Sequence, residues 1–170
     1  MNVETPGDPV THLLILGSNV EPEEYLPRAR AAIAARVNVL ATSAVFVSPA
    51  VGAPDTPDFH NQALAIIGER SGDALRTWLR SIEADLGRVR SDDRNAPRTI
   101  DIDRAASFRD GVALEDPPTD PELVVYPHLY LPAAEVLPEA QIDRRGPTLA
   151  EIARALGAMP PEFRRLPADA

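Results

Sequence analysis

Asp101 and Asp103 stand two apart in the run Pro97-Arg98-Thr99-Ile100-Asp101-Ile102-Asp103, directly after a stretch holding Arg88, Arg90 and Arg94. On a β-strand, residues two apart leave on the same face, roughly 6.5–7 Å from each other, while their neighbours turn to the other face. The spacing presents two carboxylates side by side and sends Ile100 and Ile102 toward a core. Such carboxylates repel unless a cation lies between them. Hard oxygen donors favour Mg2+, which takes one or two carboxylates and completes its shell with water and substrate phosphates. The arginines upstream then supply charge for a polyphosphate, each with a planar fork that grips phosphate oxygens in pairs. Read this way, the segment is a metal and nucleotide site in which guanidinium groups neutralise the charge that moves during transfer. The competing reading is a solvated charged loop with internal ion pairs, flanking an edge strand whose acids discourage aggregation. Spacing alone leaves both open.

A second constellation runs Ser48-Pro49-Ala50-Val51-Gly52 and then Pro57-Asp58-Phe59-His60-Asn61. A stiff loop leads into a strand on which Phe59 and Asn61 share a face. There a ring can stack on a flat heterocycle, and an amide, with one acceptor and two donors, can read its edge. The alternative is a core phenylalanine with an asparagine that fixes a loop. Gly17-Ser18-Asn19 reads as a strand-ending turn. On residue type alone, Glu83 reads as a helix-surface acid and His128 as a structural histidine.

Composition narrows the chemistry further. The chain has 170 residues, 26 acidic against 17 basic, a formal net charge of -9, three histidines and no cysteine. Every base is arginine. Without lysine, Schiff-base enzymes, the Walker-A loop and the protein-kinase pattern are excluded. Without cysteine, disulfides and thiolate metal sites go too, and His12, His60 and His128 are too scattered for a zinc cluster. The acidic balance argues against nucleic acid as a partner. The longest apolar run near the N-terminus, Leu13–Leu16, is far short of a signal segment or a membrane span, so a cytoplasmic protein without a membrane partner is expected.

These groups need elements to hold them. At 44% hydrophobic, the chain can bury the core of one domain. Residues 1–10 read as a loose tail, 11–138 as the core, and 139–170 as a C-terminal helix and tail. His12–Leu16 reads as a buried strand, and Glu23–Arg36 keeps helical spacing through Leu26, Ala29 and Ile33. Val37–Ser48 is rich in β-branched residues and reads as a strand, as does Phe59–Gly68. Asp73–Leu86 forms a helix with Leu75, Trp78, Leu79, Ile82 and Leu86 on one face, closed by Gly87. Arg88–Arg98 reads as a mobile loop, Thr99–Asp103 as a strand and Leu123–Val125 as a short one. The proline-rich stretch around 117–132 reads as loop, Thr148–Leu156 as a last helix, and the remainder as a frayed tail. The order β-α-β-β-α-β predicts an α+β, ferredoxin-like antiparallel sheet with helices packed on it.

Taken in order, these segments resemble the 6-hydroxymethyl-7,8-dihydropterin pyrophosphokinases, folate-pathway enzymes that move a pyrophosphoryl group from ATP to a pterin alcohol. The resemblance runs from about His12 to Pro138. It is carried by Leu14-Ile15-Leu16-Gly17-Ser18-Asn19, Ser48-Pro49, Gly52, Pro57-Asp58-Phe59, Asn61, Ile82-Glu83, Leu86-Gly87-Arg88, Arg90, Pro97 to Asp103 and Pro127-His128. It implies ATP as co-substrate and two Mg2+ ions, with Asp101 and Asp103 as metal ligands. It assigns Arg88, Arg90 and Arg98 to the phosphates, with Arg90 closing over the nucleotide, and places Glu83 and His128 in the nucleotide site. Phe59 is to stack on the pterin and Asn61 to read its edge, with Ser48 and Val51 completing that pocket.

The chain departs from the family pattern at Arg104-Ala105-Ala106-Ser107-Phe108, where three apolar residues are usual and the strand is expected to be weakened or re-aimed. Asn95 replaces an aromatic and Ala96 a glycine. An arginine and a second stacking aromatic after His128 map to Ala134 and Val136. Three readings follow: an active pyrophosphokinase, working as a monomer or weak homo-oligomer; a non-catalytic pterin- or nucleotide-binding relative; and a metal-dependent phosphodiesterase. The last is disfavoured because no general base suited to activating water is evident.

Overall fold

The computed structural model describes residues 9–68, 72–93 and 95–170, so most of the expected N-terminal tail, and Arg94, lie outside the described residues. The His12–Leu16 run sits within β1 (Val10–Ser18). Its side chains alternate between two buried clusters, Leu14 and Leu16 in one, Leu13 and Ile15 in the other. A strand covered on both faces needs apolar residues at successive positions, which is why the run is continuous.

α1 (Pro22–Ala34) begins on a proline, whose missing N–H has no helical partner to lose, and buries Leu26, Ala29 and Ile33. The single strand expected over Val37–Ser48 is two, β2 (Asn38–Thr42) and β3 (Val45–Ser48). Between them Ser43 breaks the ladder: its hydroxyl donates to the Ala44 carbonyl and accepts the Ala63 N–H. Both strands pair antiparallel with β4 (Phe59–Gly68). α2 (Gly72–Asp85) buries Leu75, Trp78, Leu79 and Ile82 as its spacing predicts. It leads through the basic run to β5 (Asp101–Arg109) and the short β6 (Val112–Ala113).

With β7 (Arg164–Leu166), the strands form one sheet in the order β6-β5-β1-β4-β3-β7, with β2 also on β4. This is the α+β, ferredoxin-like arrangement that the element order predicts. α1 and α2 pack on the face that carries Leu14 and Leu16. The other face is covered by α3 (Pro127–Val136) and α4 (Leu149–Leu156), through Ala133, Val136 and Leu149.

Three expectations are corrected. Leu123–Val125 is not a strand: residues Pro121–Val124 form a 3-10 turn, capped where Asp120 Oδ1 accepts the Glu122 N–H at 2.9 Å. The proline-rich stretch that follows is not loop but α3, with Pro127 in its first turn; proline punctuates a sequence as a helix starter as readily as a breaker. The C-terminal tail is not frayed, because Val45 pairs with Leu166 and Val47 with Arg164. The Arg104–Phe108 segment is re-aimed rather than weakened. β5 continues to Arg109, and its register on β1 shifts between Leu13 and Leu14, opposite Ala106 and Arg104. Among the described residues, no helix is long and apolar enough to cross a membrane.

Candidate active site

Register builds the site. At the end of β1, Gly17 lies opposite Asn61 on β4 and Asp101 on β5, and Ile15 lies opposite Asp103. Paired residues on adjacent strands share a face, so an amide, a glycine and a carboxylate form a row, with the second carboxylate beside it. A Cβ on Gly17 would stand 3.3 Å from Asn61 Oδ1. Its absence leaves the floor of a cavity of about 280 Å³, with Phe59, Val51, Leu129 and His128 in its walls.

A second cavity, about 320 Å³, lies against α2 at the outer edge of β5 and is lined by Arg76, Arg80, Arg90 and Arg104 with Glu83. β6 pairs only with Phe108 and Arg109, so this part of β5 has no strand beyond it among the described residues. Asp101 and Asp103 line both cavities.

The charges around the pair are unevenly matched. Arg98 Nη1 donates to Asp101 Oδ2 at 2.8 Å, and Arg88 Nη2 lies 3.6 Å from Oδ1. The Arg98 guanidinium also sits over the Phe59 ring, 5.8 Å from its centroid, within cation–π range. Glu83 is buried, takes Arg90 Nη2 at 2.6 Å on Oε2, and accepts the Ile102 N–H at 2.7 Å on Oε1. Burial raises its pKa first and the Asp101 carboxyl adds to that, while the Ile102 N–H and Arg90 oppose it.

Asp103 makes no ion pair among the described residues. Burial first, and then Asp101, Glu83 and Asp120, push its carboxyl up to about 6, against the pull of Arg98. Part of the side chain opens onto the cavities. The burial that matters is the protein crowded around the remaining sides of the carboxyl, which displaces the water that would stabilise its charge. His128 stacks on Tyr126 with ring centroids 5.4 Å apart, and burial lowers its pKa.

The residues singled out from the sequence converge. Phe59, Asn61, Ser48 and Val51 line the first cavity together with Arg98. Glu83 and Arg90 line the second, and Arg88 joins Arg90 and Arg98 around a smaller recess beside them. His128, assigned to the nucleotide by resemblance, lines the first cavity along with Phe59, Arg98 and both aspartates. Ala134 and Val136, to which the resemblance maps an arginine and a second stacking aromatic, fall on the body of α3, which starts at Pro127, and pack on the sheet core.

Several lining residues escaped sequence reasoning. Arg76 and Arg80, one helical turn apart on α2, had a legible i,i+4 spacing. Asp120 and Glu122, which line the first cavity, sit in a turn that read as loop and strand.

Among the described residues, no three His, Asp or Glu side chains converge to hold a metal unaided. The Asp101 and Asp103 pair still suits Mg2+, which takes two carboxylates and leaves its other positions to water and phosphate. The raised proton affinity of Asp103 marks the uncompensated negative charge such an ion requires.

The ferredoxin-like sheet thus carries its paired carboxylates between an arginine-lined cavity and one walled by Phe59. Residues 13–146 match the profile of the 7,8-dihydro-6-hydroxymethylpterin-pyrophosphokinase family, and the chain belongs to that family of pyrophosphokinases. The 2-amino-4-hydroxy-6-hydroxymethyldihydropteridine pyrophosphokinase of Methylorubrum extorquens is 37% identical over 114 residues, covering 62% of this chain and 67% of the relative.

Proposed function

We propose that the protein transfers the pyrophosphoryl group of ATP to the hydroxymethyl group of a dihydropterin and releases AMP. The observation that carries this reading is that two cavities of different chemistry share Asp101 and Asp103. The first has an aromatic face and an amide, the recognition a pterin needs; Asn61 Nδ2 lies 3.3 Å from Ser48 Oγ as its donor, which orients that amide. The second has the guanidinium groups a triphosphate needs. A hydroxymethyl group in one and a phosphate chain in the other meet at the carboxylate pair.

In the transfer, the alcohol oxygen forms a bond to the β-phosphorus while the bond from that phosphorus to the α,β-bridging oxygen breaks. The electron pair leaves with AMP and the hydroxyl proton passes to solvent. Two Mg2+ ions held by Asp101 and Asp103 would supply Lewis-acid polarisation of the phosphoryl oxygens. Phe59 and Asn61 hold the acceptor ring. Arg98, in contact with both Asp101 and the Phe59 face, stands where charge builds on the bridging group, and Arg88 and Arg90 neutralise the rest of the chain. Catalysis of this kind rests on positioning and charge stabilisation.

The test is AMP formation from ATP and 6-hydroxymethyl-7,8-dihydropterin with Mg2+. Activity is expected to disappear with EDTA and in Asp101→Ala and Asp103→Ala. A folded protein that binds both ligands and yields no AMP would replace this reading with a binding role.

A further inference from the structure

Asn19 is buried at the exit of β1, and a strand-ending turn does not account for its two long-range bonds. Its Oδ1 accepts the Arg98 N–H at 2.7 Å, and its own N–H donates to the Arg98 carbonyl at 3.1 Å. We infer that Asn19 is a positioning residue: by clasping both backbone groups of Arg98, it sets that guanidinium between Asp101 and Phe59. The catalytic part of this inference rests on the function proposed above.

Among the described residues, the other anchors of the basic run lie at its start. There it is tied to α2, through the Arg88 N–H on the Glu83 carbonyl and the Arg90 side chain on Glu83, and toward β5, through Arg88 Nη1 on the Ile100 carbonyl at 3.4 Å and Nη2 3.6 Å from Asp101 Oδ1. In its middle, the bonds of Asp93 to Ser91, Asn95 to Asp93 and Ala96 to Asp93 are internal to the run. At its end, Asn19 fixes the Arg98 backbone from a strand terminus that is itself rigid, because buried Ser18 closes the turn with Oγ donating to the Val20 carbonyl at 3.1 Å.

An arginine side chain has several rotatable bonds, so contact with a carboxylate on one side and an aromatic face on the other depends on where its Cα stands. Misplacing a catalytic group by about 1 Å can cost on the order of 100-fold in rate. Among the described residues, only the carbonyl half of the amide makes a bond here, since Asn19 Nδ2 has no hydrogen-bond partner among them. Aspartate, which keeps the oxygen and the shape, should therefore substitute, and alanine should not.

The experiment compares wild type, Asn19→Ala, Asn19→Asp, Arg98→Ala and the Asn19→Ala/Arg98→Ala double variant. Amide hydrogen exchange is read by NMR, and AMP release is measured at saturating and limiting pterin. Asn19→Ala is expected to speed exchange at the Arg98 amide about tenfold while the β1 and β4 amides keep their protection, and to slow AMP release by about tenfold or more. Asn19→Asp should restore both to within about threefold, and adding Asn19→Ala to Arg98→Ala should change the rate by less than about twofold.

Unchanged Arg98 exchange in Asn19→Ala, or the same rate penalty with and without Arg98, overturns the inference. If Asn19→Ala does not fold, Asn19→Asp decides: slow release from a folded protein with a protected Arg98 amide also overturns it. Should wild type release no AMP, the pyrophosphokinase reading falls, and the exchange measurement still decides the clasp.

Discussion

The Glu83 carboxylate accepts the backbone N–H of Ile102 at 2.7 Å, fastening the last turns of α2 to the peptide that separates the two aspartates. The bond satisfies a buried N–H on a stretch of β5 that has no strand beyond it among the described residues. Replacing Glu83 with Ala leaves that N–H without its acceptor and is expected to cost ~1–3 kcal/mol of stability. Glu83→Gln keeps a carbonyl oxygen there and should lose much less. Urea denaturation of both variants checks this, and equal losses would show that the Ile102 bond is not what Glu83 contributes.

The carboxyl of Asp103 ties stability to pH. Its folded pKa, about 6, lies above its ordinary value of 3.8, so between those values the native state holds more protons than the unfolded one. This group therefore adds stability below about pH 4 that is lost as pH rises through about 6. Thermal melts of the metal-free protein should show that slope, and Asp103→Asn should flatten it. Because a metal needs the ionised carboxylate, Mg2+ should raise the melting temperature more at pH 7.5 than at pH 5.

Phe59 and Asn61 should separate the two ligands. Removing the ring, or the amide that reads an edge, is expected to weaken pterin binding by ~1–3 kcal/mol, about 5- to 150-fold, and to leave the affinity for Mg2+ and an α,β-methylene ATP analogue nearly unchanged. Titration calorimetry with each ligand distinguishes this from a general loss of the site, which would weaken both.

The C-terminal strand is predicted to be structural. Gln62 is fully buried. It accepts from Arg30 Nη1 at 2.7 Å and donates to the Ser43 and Ala168 carbonyls, both at 2.8 Å. Gln62→Leu leaves those groups unpaired and should cost ~1–3 kcal/mol. Deleting residues 164–170 uncovers the edge of β3 and should lower the melting temperature at least as far; an unchanged melt would restore the frayed tail.

The parts of the fold that were legible are those whose period survives in a single segment. β1 and α2 each carry their burial pattern in adjacent residues, and Asp101 and Asp103 declare a shared face by their spacing alone. α3 and β7 were not legible. The prolines of α3 resemble loop punctuation until its first turn is seen against Leu123 and the sheet. β7 has three residues and no apolar period, and it is a strand only because β3 offers it an unpaired edge.

Residue types and spacing by themselves determined the chemistry available to this protein: an all-arginine supply of positive charge, a carboxylate pair on one strand face, a ring and an amide on another. The tertiary structure decided which of these groups meet. Asn61, Gly17 and Asp101 come from three strands, and nothing local to any one of them encodes the register that puts them in a row. Asn19 and Arg98 are likewise joined only by the closing of the sheet. Periodicity is a property of neighbours along the chain, whereas a site is a property of neighbours in space, and long-range pairing is what turns the first into the second.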